Sequence, residues 1–371
     1  MCHSRENELE LVVGGGGSGG SYNPNMRFGR PWTLLGFPLL AACVAGNSND
    51  PFSTTVGVIP ESAPEEPRGS SRSAYEAAYA VFRTQRYVAA REAFEGVAEQ
   101  ALGTDAASRV EALAMVARCY SLTAELDLGE PWLRAAEQEA DRAEPYGWVR
   151  TGIVRGIYLR ERARTGGGAL HPSALAAFTA VYDYALERGL LRDAMDAAHF
   201  CAMEGEPGEQ IRWAELGLGL AQRLGDDRWQ AILWNNLGYS LEQVGDPERV
   251  LAAYSKARIF HRRSGGDFEV LVADWAVGHA QRLTGDLQGA LVTLQDVEER
   301  AQVLAVTDAA LYDTWRCYAA SELCEVELEL GRIDEAEAHL KTAASLMRLP
   351  SHRELAARIL LARKVVEPTG R

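Results

Sequence analysis

The sequence predicts an all-α fold, a solenoid of about seven helix pairs closed by a C-terminal capping helix, and three observations carry that prediction. From Ser73 to Arg371, apolar residues recur at three- and four-residue intervals in a background of alanine, leucine, glutamate and arginine, which is the period of one face of a helix. Alternating β-branched runs joined by hairpin turns are lacking, so strand structure is not expected. Finally, a pattern recurs around Gly245, Gly285 and Gly331, which lie 40 and 46 residues apart, and self-similarity at such a period marks an array of stacked units.

The chain of 371 residues divides into four segments before its elements are considered. Residues 1–25 form a glycine-rich, low-complexity tail. Its tract Gly14 to Gly20 matches GxGxxG and GxSxG by composition, but Ser21-Tyr22-Asn23-Pro24 stands where a phosphate-binding or nucleophile-bearing helix has to begin. Residues 26–43 hold a short basic stretch with Arg27 and Arg30, then an apolar run from Trp32 to Ala42, then small residues. That is the layout of a secretory signal, and the run is too short to span a bilayer as a helix. Leu40-Ala41-Ala42-Cys43 resembles the lipobox of bacterial lipoproteins. The resemblance implies translation from Met26, diacylation of Cys43 and attachment of the mature chain to a membrane, with residues 1–25 upstream of the true start. Val44 rather than aspartate follows the cysteine, which by the same resemblance favours the periplasmic face of the outer membrane.

Residues 44–72 include Pro51, Pro60, Pro64 and Pro67 without a helical period and read as a flexible linker. Lys and Arg number 38 against 52 Asp and Glu, a net charge of −14. Nucleic acid is therefore not an expected partner, because binding it needs a concentrated positive surface. Cys119, Cys201, Cys317 and Cys324 read as buried thiols, for none of the six cysteines has the close spacing of a metal or redox pair.

Residues 73–371 are the repeat domain. Seven residues before each anchoring glycine stand Gly238, Gly278 and Cys324; nine after stand Tyr254, Leu294 and Leu340, flanked by small residues five and twelve after. Trp234-Asn235-Asn236-Leu237-Gly238, followed by Ala336-x3-Leu340-x2-Ala343 in the last copy, resembles the two helices of the tetratricopeptide repeat. An earlier copy turns at Gln85, with Ala90, Phe94 and Val97 after it. Three further pairs are expected at 106–143 with a turn near Gly129, at 146–188 with a loop at Gly166-Gly167-Gly168, and at 190–224 with a turn near Glu206-Pro207-Gly208; residues 352–366 form the cap. Each pair covers its apolar face only against neighbours, so the array is expected to wind as a right-handed superhelix with the first helices lining a concave groove.

Counting back ten, six and three residues from each turn selects the stripe that, in the family resembled, faces this groove. It contains Tyr75, Tyr79 and Phe82 in the first pair, then Asn235, Tyr239 and Glu242, Trp275, His279 and Arg282, and Ser321, Glu325 and Leu328. Rings beside an amide, an imidazole and a guanidinium suit an extended peptide, since asparagine can pair with a backbone N–H and C=O together. Tyr75, Tyr79, Asn235, Tyr239, Trp275, His279 and Arg282 are accordingly the candidate ligand contacts. Trp132, Trp148, Trp213, Trp229, Trp234 and Trp315 are expected in the core instead. No catalytic constellation, metal-ligand spacing or cofactor motif is found. The expected function is a non-catalytic scaffold for a protein or peptide partner, tethered to the envelope through Cys43; the alternative is a cytoplasmic sensory or regulatory module.

Overall fold

The computed structural model describes residues 70–165 and 172–366, and within them the chain forms fifteen helices and no strand. In order they are α1 (Ser70–Arg83), α2 (Tyr87–Gln100), α3 (Ala106–Leu122), α4 (Leu126–Glu139), α5 (Pro145–Thr165), α6 (Pro172–Glu187), α7 (Leu191–Cys201), α8 (Pro207–Leu224), α9 (Asp227–Val244), α10 (Pro247–Ser264), α11 (Asp267–Leu283), α12 (Leu287–Leu304), α13 (Ala309–Glu329), α14 (Ile333–Leu346) and α15 (Ser351–Val366). The first fourteen make seven helix–turn–helix pairs, and α15 covers α13 and α14. The fold is thus an all-α repeat solenoid. The glycine tract, Cys43, the linker as far as residue 69 and the loop Gly166-Gly167-Gly168 lie outside the described residues.

Local chemistry sets the helix boundaries. Asp105, Asp226, Asp246, Asp286 and Asp308 each accept a hydrogen bond from the backbone N–H three residues on, which satisfies a donor that the first turn leaves free. Gly225 and Gly245 end α8 and α9 in the left-handed conformation (φ 63° and 74°), where a residue without Cβ is favoured. The first two turns use Gln85 and Ala124 there (φ 61° and 60°). The second pair therefore turns at Ala124, and the expectation of a turn near Gly129 is corrected. Gly129 lies inside α4, where a Cβ would fall 1.8 Å from Tyr158 Oη; it is a small packing residue, not a helix terminator.

The repeat spacing corresponds to small-against-large contacts within each pair. A Cβ on Gly238 would meet the Tyr254 ring at 2.5 Å, and one on Gly278 would meet Leu294 at 2.7 Å. In the second pair, counted from Ala124, the matching residues Ala117 and Leu133 are both fully buried. Trp213 and Trp315 are buried, whereas Trp132, Trp148, Trp229 and Trp234 are partly buried against the core. Cys119, Cys201, Cys317 and Cys324 are buried free thiols. Burial pushes the first two and Cys324 up to about 12 and Cys317 to about 11.

Several first helices touch the next first helix directly, as α1 touches α3, α3 touches α5 and α11 touches α13. Successive second helices have no comparable contact among the described residues. The first helices therefore crowd the inner side of the array and the second helices spread on the outer side. Between pairs two and three this crowding is strongest, because α5 packs far more against α3 than against α4.

Candidate functional site

The inner face of the C-terminal half is built by α9, α11 and α13. Trp275 on α11 stacks on His279 with centroids 5.4 Å apart, and meets Trp315 of α13 edge-on at 5.5 Å. Its Nε1 and that of Trp315 are buried without hydrogen-bond partners. His279 reaches back to Glu242 of α9 (Nε2, 3.3 Å) and forward to Glu322 of α13 (Nδ1, 3.1 Å), the latter an ion pair without hydrogen-bond alignment. Arg282 donates to Glu322 at 2.9 Å and to Glu329 at 3.0 Å.

Glu322 has no exposure, so this network is a desolvated one. Burial alone would lower His279, but the carboxylates of Glu322 and Glu242 raise it to about 10. Burial alone would raise Glu322, but Arg282 and His279 hold it far below the ordinary carboxylate range. Both residues of the pair are therefore charged at neutral pH, and each supplies the other's counter-charge.

The structure thus brings Trp275, His279 and Arg282 to one place, with Glu242 linking them to the α9 stripe. Asn235 is 6% exposed, and its amide makes no hydrogen bond to another described residue. Tyr239 is half-buried on the same helix. Ser321 does not line the groove: its hydroxyl bonds Cys317 O at 2.7 Å and lies 3.1 Å from His352 Nε2 beneath the cap. Glu325 is likewise engaged by Arg358 of α15, 2.5 Å away.

Tyr75 and Tyr79 lie in the other half of the array. Tyr75 is 4% exposed and packs on Phe94 of α2, 5.4 Å between centroids, so its ring belongs to the core of the first pair. Tyr79 is half-buried, stacks on Phe82 at 5.8 Å and has the Arg150 guanidinium 5.9 Å from its ring. Around Arg150, residues of four first helices come within electrostatic reach of one another: Tyr75 and Tyr79 of α1, Glu111 and Arg118 of α3, and Asp193 and Asp196 of α7. Sequence reasoning did not select Arg118, Arg150, Asp193, Asp196 or Glu322. Six residues back from the turn at Ala124 stands Arg118, so the same count applied to the true turn selects it.

A separate recess of about 440 Å³ lies between α8, α9 and α10, lined in part by Gln222, Trp234, Arg249 and Lys256. It adjoins two second helices, away from the stripe described above. Among the described residues no group of three or more His, Cys, Asp or Glu side chains is placed to hold a metal, and no helix is long and apolar enough to cross a membrane.

No family model and no curated protein matches the sequence. Solved structures match in fold. The chain is similar to a signal-transduction ATPase with numerous domains and a tetratricopeptide repeat sensor from Pyrococcus horikoshii, with TM-score 0.58 and 13% identity over 80% of this chain; the match spans 43% of the ATPase. It is similar to the apo form of RapI at the same TM-score of 0.58, with 10% identity over 81% of this chain and 82% of that one. Identities this low speak for the fold alone, and with the internal register they support an all-α repeat solenoid whose fold is like that of tetratricopeptide-repeat proteins.

Proposed function

We propose that the chain is a non-catalytic scaffold whose inner face, at α9 and α11, binds an extended peptide or protein segment. The observation that carries this reading is Asn235, a buried amide that makes no hydrogen bond to another described residue, on the first helix of the pair preceding the one that carries the partly uncovered ring of Trp275. An unmatched amide can bond a peptide N–H and C=O at once, and the neighbouring rings supply contact area at low entropic cost. His279 and Arg282 hold the platform in place through Glu242, Glu322 and Glu329 and leave the ring and the amide facing the groove.

The test is capture of the native partner by crosslinking in the cell, followed by titration against Asn235→Ala with Trp275→Ala. Loss of an interface anchor costs about 2 kcal/mol or more, close to thirtyfold in affinity, and a loss of that size is expected with helicity and melting unchanged. Full binding by the well-folded double variant moves the site off the inner face.

The same proposal places the chain at a bacterial envelope through a lipid on Cys43. Two acyl chains give stable anchoring where one does not. Cys43→Ser is therefore expected to move the protein from the membrane fraction to the soluble fraction, or to leave the leader uncleaved. Fractionation of the unmodified chain as a soluble protein that retains residues 26–42 rejects the tether. The alternative, a cytoplasmic sensory or regulatory module, draws support from the likeness to an ATPase whose tetratricopeptide repeats form a sensor.

A further inference from the structure

Two arginines on the inner face of the N-terminal half have no carboxylate within ion-pair distance among the described residues. Arg118 of α3 donates a hydrogen bond to the Ser121 hydroxyl at 3.0 Å, and Arg150 of α5 lies 5.9 Å from the Tyr79 ring with its Nε buried and unpartnered. Arg160 and Glu111, nearby on this face, are matched. Arg160 has Glu161 at 3.0 Å and Glu204 at 3.9 Å, and Glu111 has Arg72 at 2.7 Å.

Asp193 and Asp196 of α7 are acids that act on this pair, and neither makes an ion pair with another described residue. Burial, opposed by Arg150 and helped by Asp193, lifts Asp196 to about 6; burial and then Arg160 bring Arg118 down to about 10. Tyr87 and Glu161 also act on Arg118, and Tyr75, Tyr79 and Glu111 act on Arg150. Two cations and two anions are thus held partly buried and within electrostatic reach of one another, and no ion pair joins them among the described residues. Leaving such groups unmatched is costly, and the fold makes no move to pair them.

We propose that this charged cluster is a binding station for a dipolar peptide segment, its carboxylate on Arg118 and Arg150 and its cation on Asp193 and Asp196. The proposal rests on the reading of the inner face as a peptide-binding surface, and it adds the charge pattern of the peptide. Planar guanidinium groups take a carboxylate through charge-assisted hydrogen bonds, and the two aspartates take an ammonium or guanidinium in the same way. A phosphate dianion fits less well, because the aspartates stand against its second charge. The two ligand charges can come from side chains or from chain ends.

The experiment is NMR of the full chain, observing arginine Nε–H and aspartate carboxyl signals. The probes are acetyl-Ala-Glu-Ala-Ala-Lys-Ala-amide, its variants with Gln for Glu and norleucine for Lys singly and together, tetra-alanine with free ends, and inorganic phosphate. Saturable shifts of the Arg118 and Arg150 signals are expected with the doubly charged peptide or with zwitterionic tetra-alanine, the stronger of the two identifying the source of the charges. Each singly charged probe should need about tenfold more peptide or worse, the span of one charged hydrogen bond. Arg118→Gln with Arg150→Gln should abolish the shifts in the remaining signals, whereas Asn235→Ala with Trp275→Ala should not, which separates this station from the α9–α11 platform. Should the double arginine variant fail to fold, Asp196→Asn decides: it should narrow the advantage of the doubly charged peptide over its norleucine variant. Absence of saturation with every peptide, equal binding of the uncharged peptide, or tighter binding of phosphate overturns the proposal.

Discussion

Glu322→Gln is expected to unfold the C-terminal three pairs of the solenoid well before the rest. The substitution keeps the volume and removes the charge, so it leaves the imidazolium of His279 and the guanidinium of Arg282 buried with weakened counter-charge. Breaking one side of a buried ion pair costs about 3–5 kcal/mol, a large part of the stability of an ordinary domain. Because each pair contacts only near neighbours, that loss should stay local. Calorimetry should show a new low-temperature transition, and hydrogen exchange should assign it to α9 through α15 while α1 to α8 keep their protection. A variant that melts like the parent shows that the carboxylate is not what binds these three helices.

The same network fixes the sign of a pH dependence. His279 is raised from 6.5 to about 10, so its contribution is complete below 6.5 and is lost as pH rises through about 10. Glu322 is depressed below 4.5, so its contribution is complete above 4.5 and is lost as pH falls through its lower folded value. The C-terminal transition should therefore be flat between about pH 4.5 and 6.5 and fall progressively above that, and Glu322→Gln should remove most of that fall.

The second large effect concerns the contact between α5 and α6. Phe178 is fully buried, stacks on Phe200 at 4.9 Å and fills the space where Gly156 has no side chain; a Cβ there would lie 2.3 Å from its ring. Phe178→Ala should cost about 3–5 kcal/mol through lost burial and a cavity. Gly156→Val should cost about 1–3 kcal/mol by overpacking. Together they should cost less than their sum, since the valine occupies part of the hole that the alanine opens. Denaturant melts of the two single variants and the double variant measure this coupling, and strict additivity rules out the packing described.

The parts of the fold that were legible in the sequence are those where backbone geometry restricts residue choice. Gly245 and Gly285 sit in left-handed turns followed by capping aspartates, and each demands a narrow set of residues. The turn at Ala124 was not legible, because an alanine held in that conformation has no signature and Gly129, five residues on, offers a false one. The site divides in the same way. The stripe containing Asn235, Trp275 and His279 follows from helical spacing, but Glu322 stands one residue beyond Ser321 and so falls outside the stripe. Its partners lie 43 and 40 residues earlier in the chain, and only the packing of α11 on α13 brings them within reach. Arg150 and Asp196 belong to pairs whose motif is degenerate; Asp196 stands ten before Glu206, but without a registered turn the count was not anchored there, and no such count reaches Arg150.

The uneven packing of α5 has a mechanical consequence. Where α4 and α5 meet, the close packing of Gly129 on Tyr158 is flanked by ion pairs: Arg155 bonds Glu137 at 2.6 Å and Glu130 at 3.2 Å, and Arg162 reaches Asp127 at 3.2 Å and Glu130 at 3.3 Å. Solvent-exposed pairs of this kind weaken as salt screens them, whereas the apolar contact of α5 on α3 does not. The outer edge of the array at this point is thus a spring whose stiffness depends on ionic strength, and the inner edge is a fixed pivot. Raising salt is therefore expected to loosen the wedge between the second and third pairs about that pivot, which makes the curvature of the groove a property of the medium as well as of the chain; small-angle scattering at low and high salt that shows no change in dimensions rejects it.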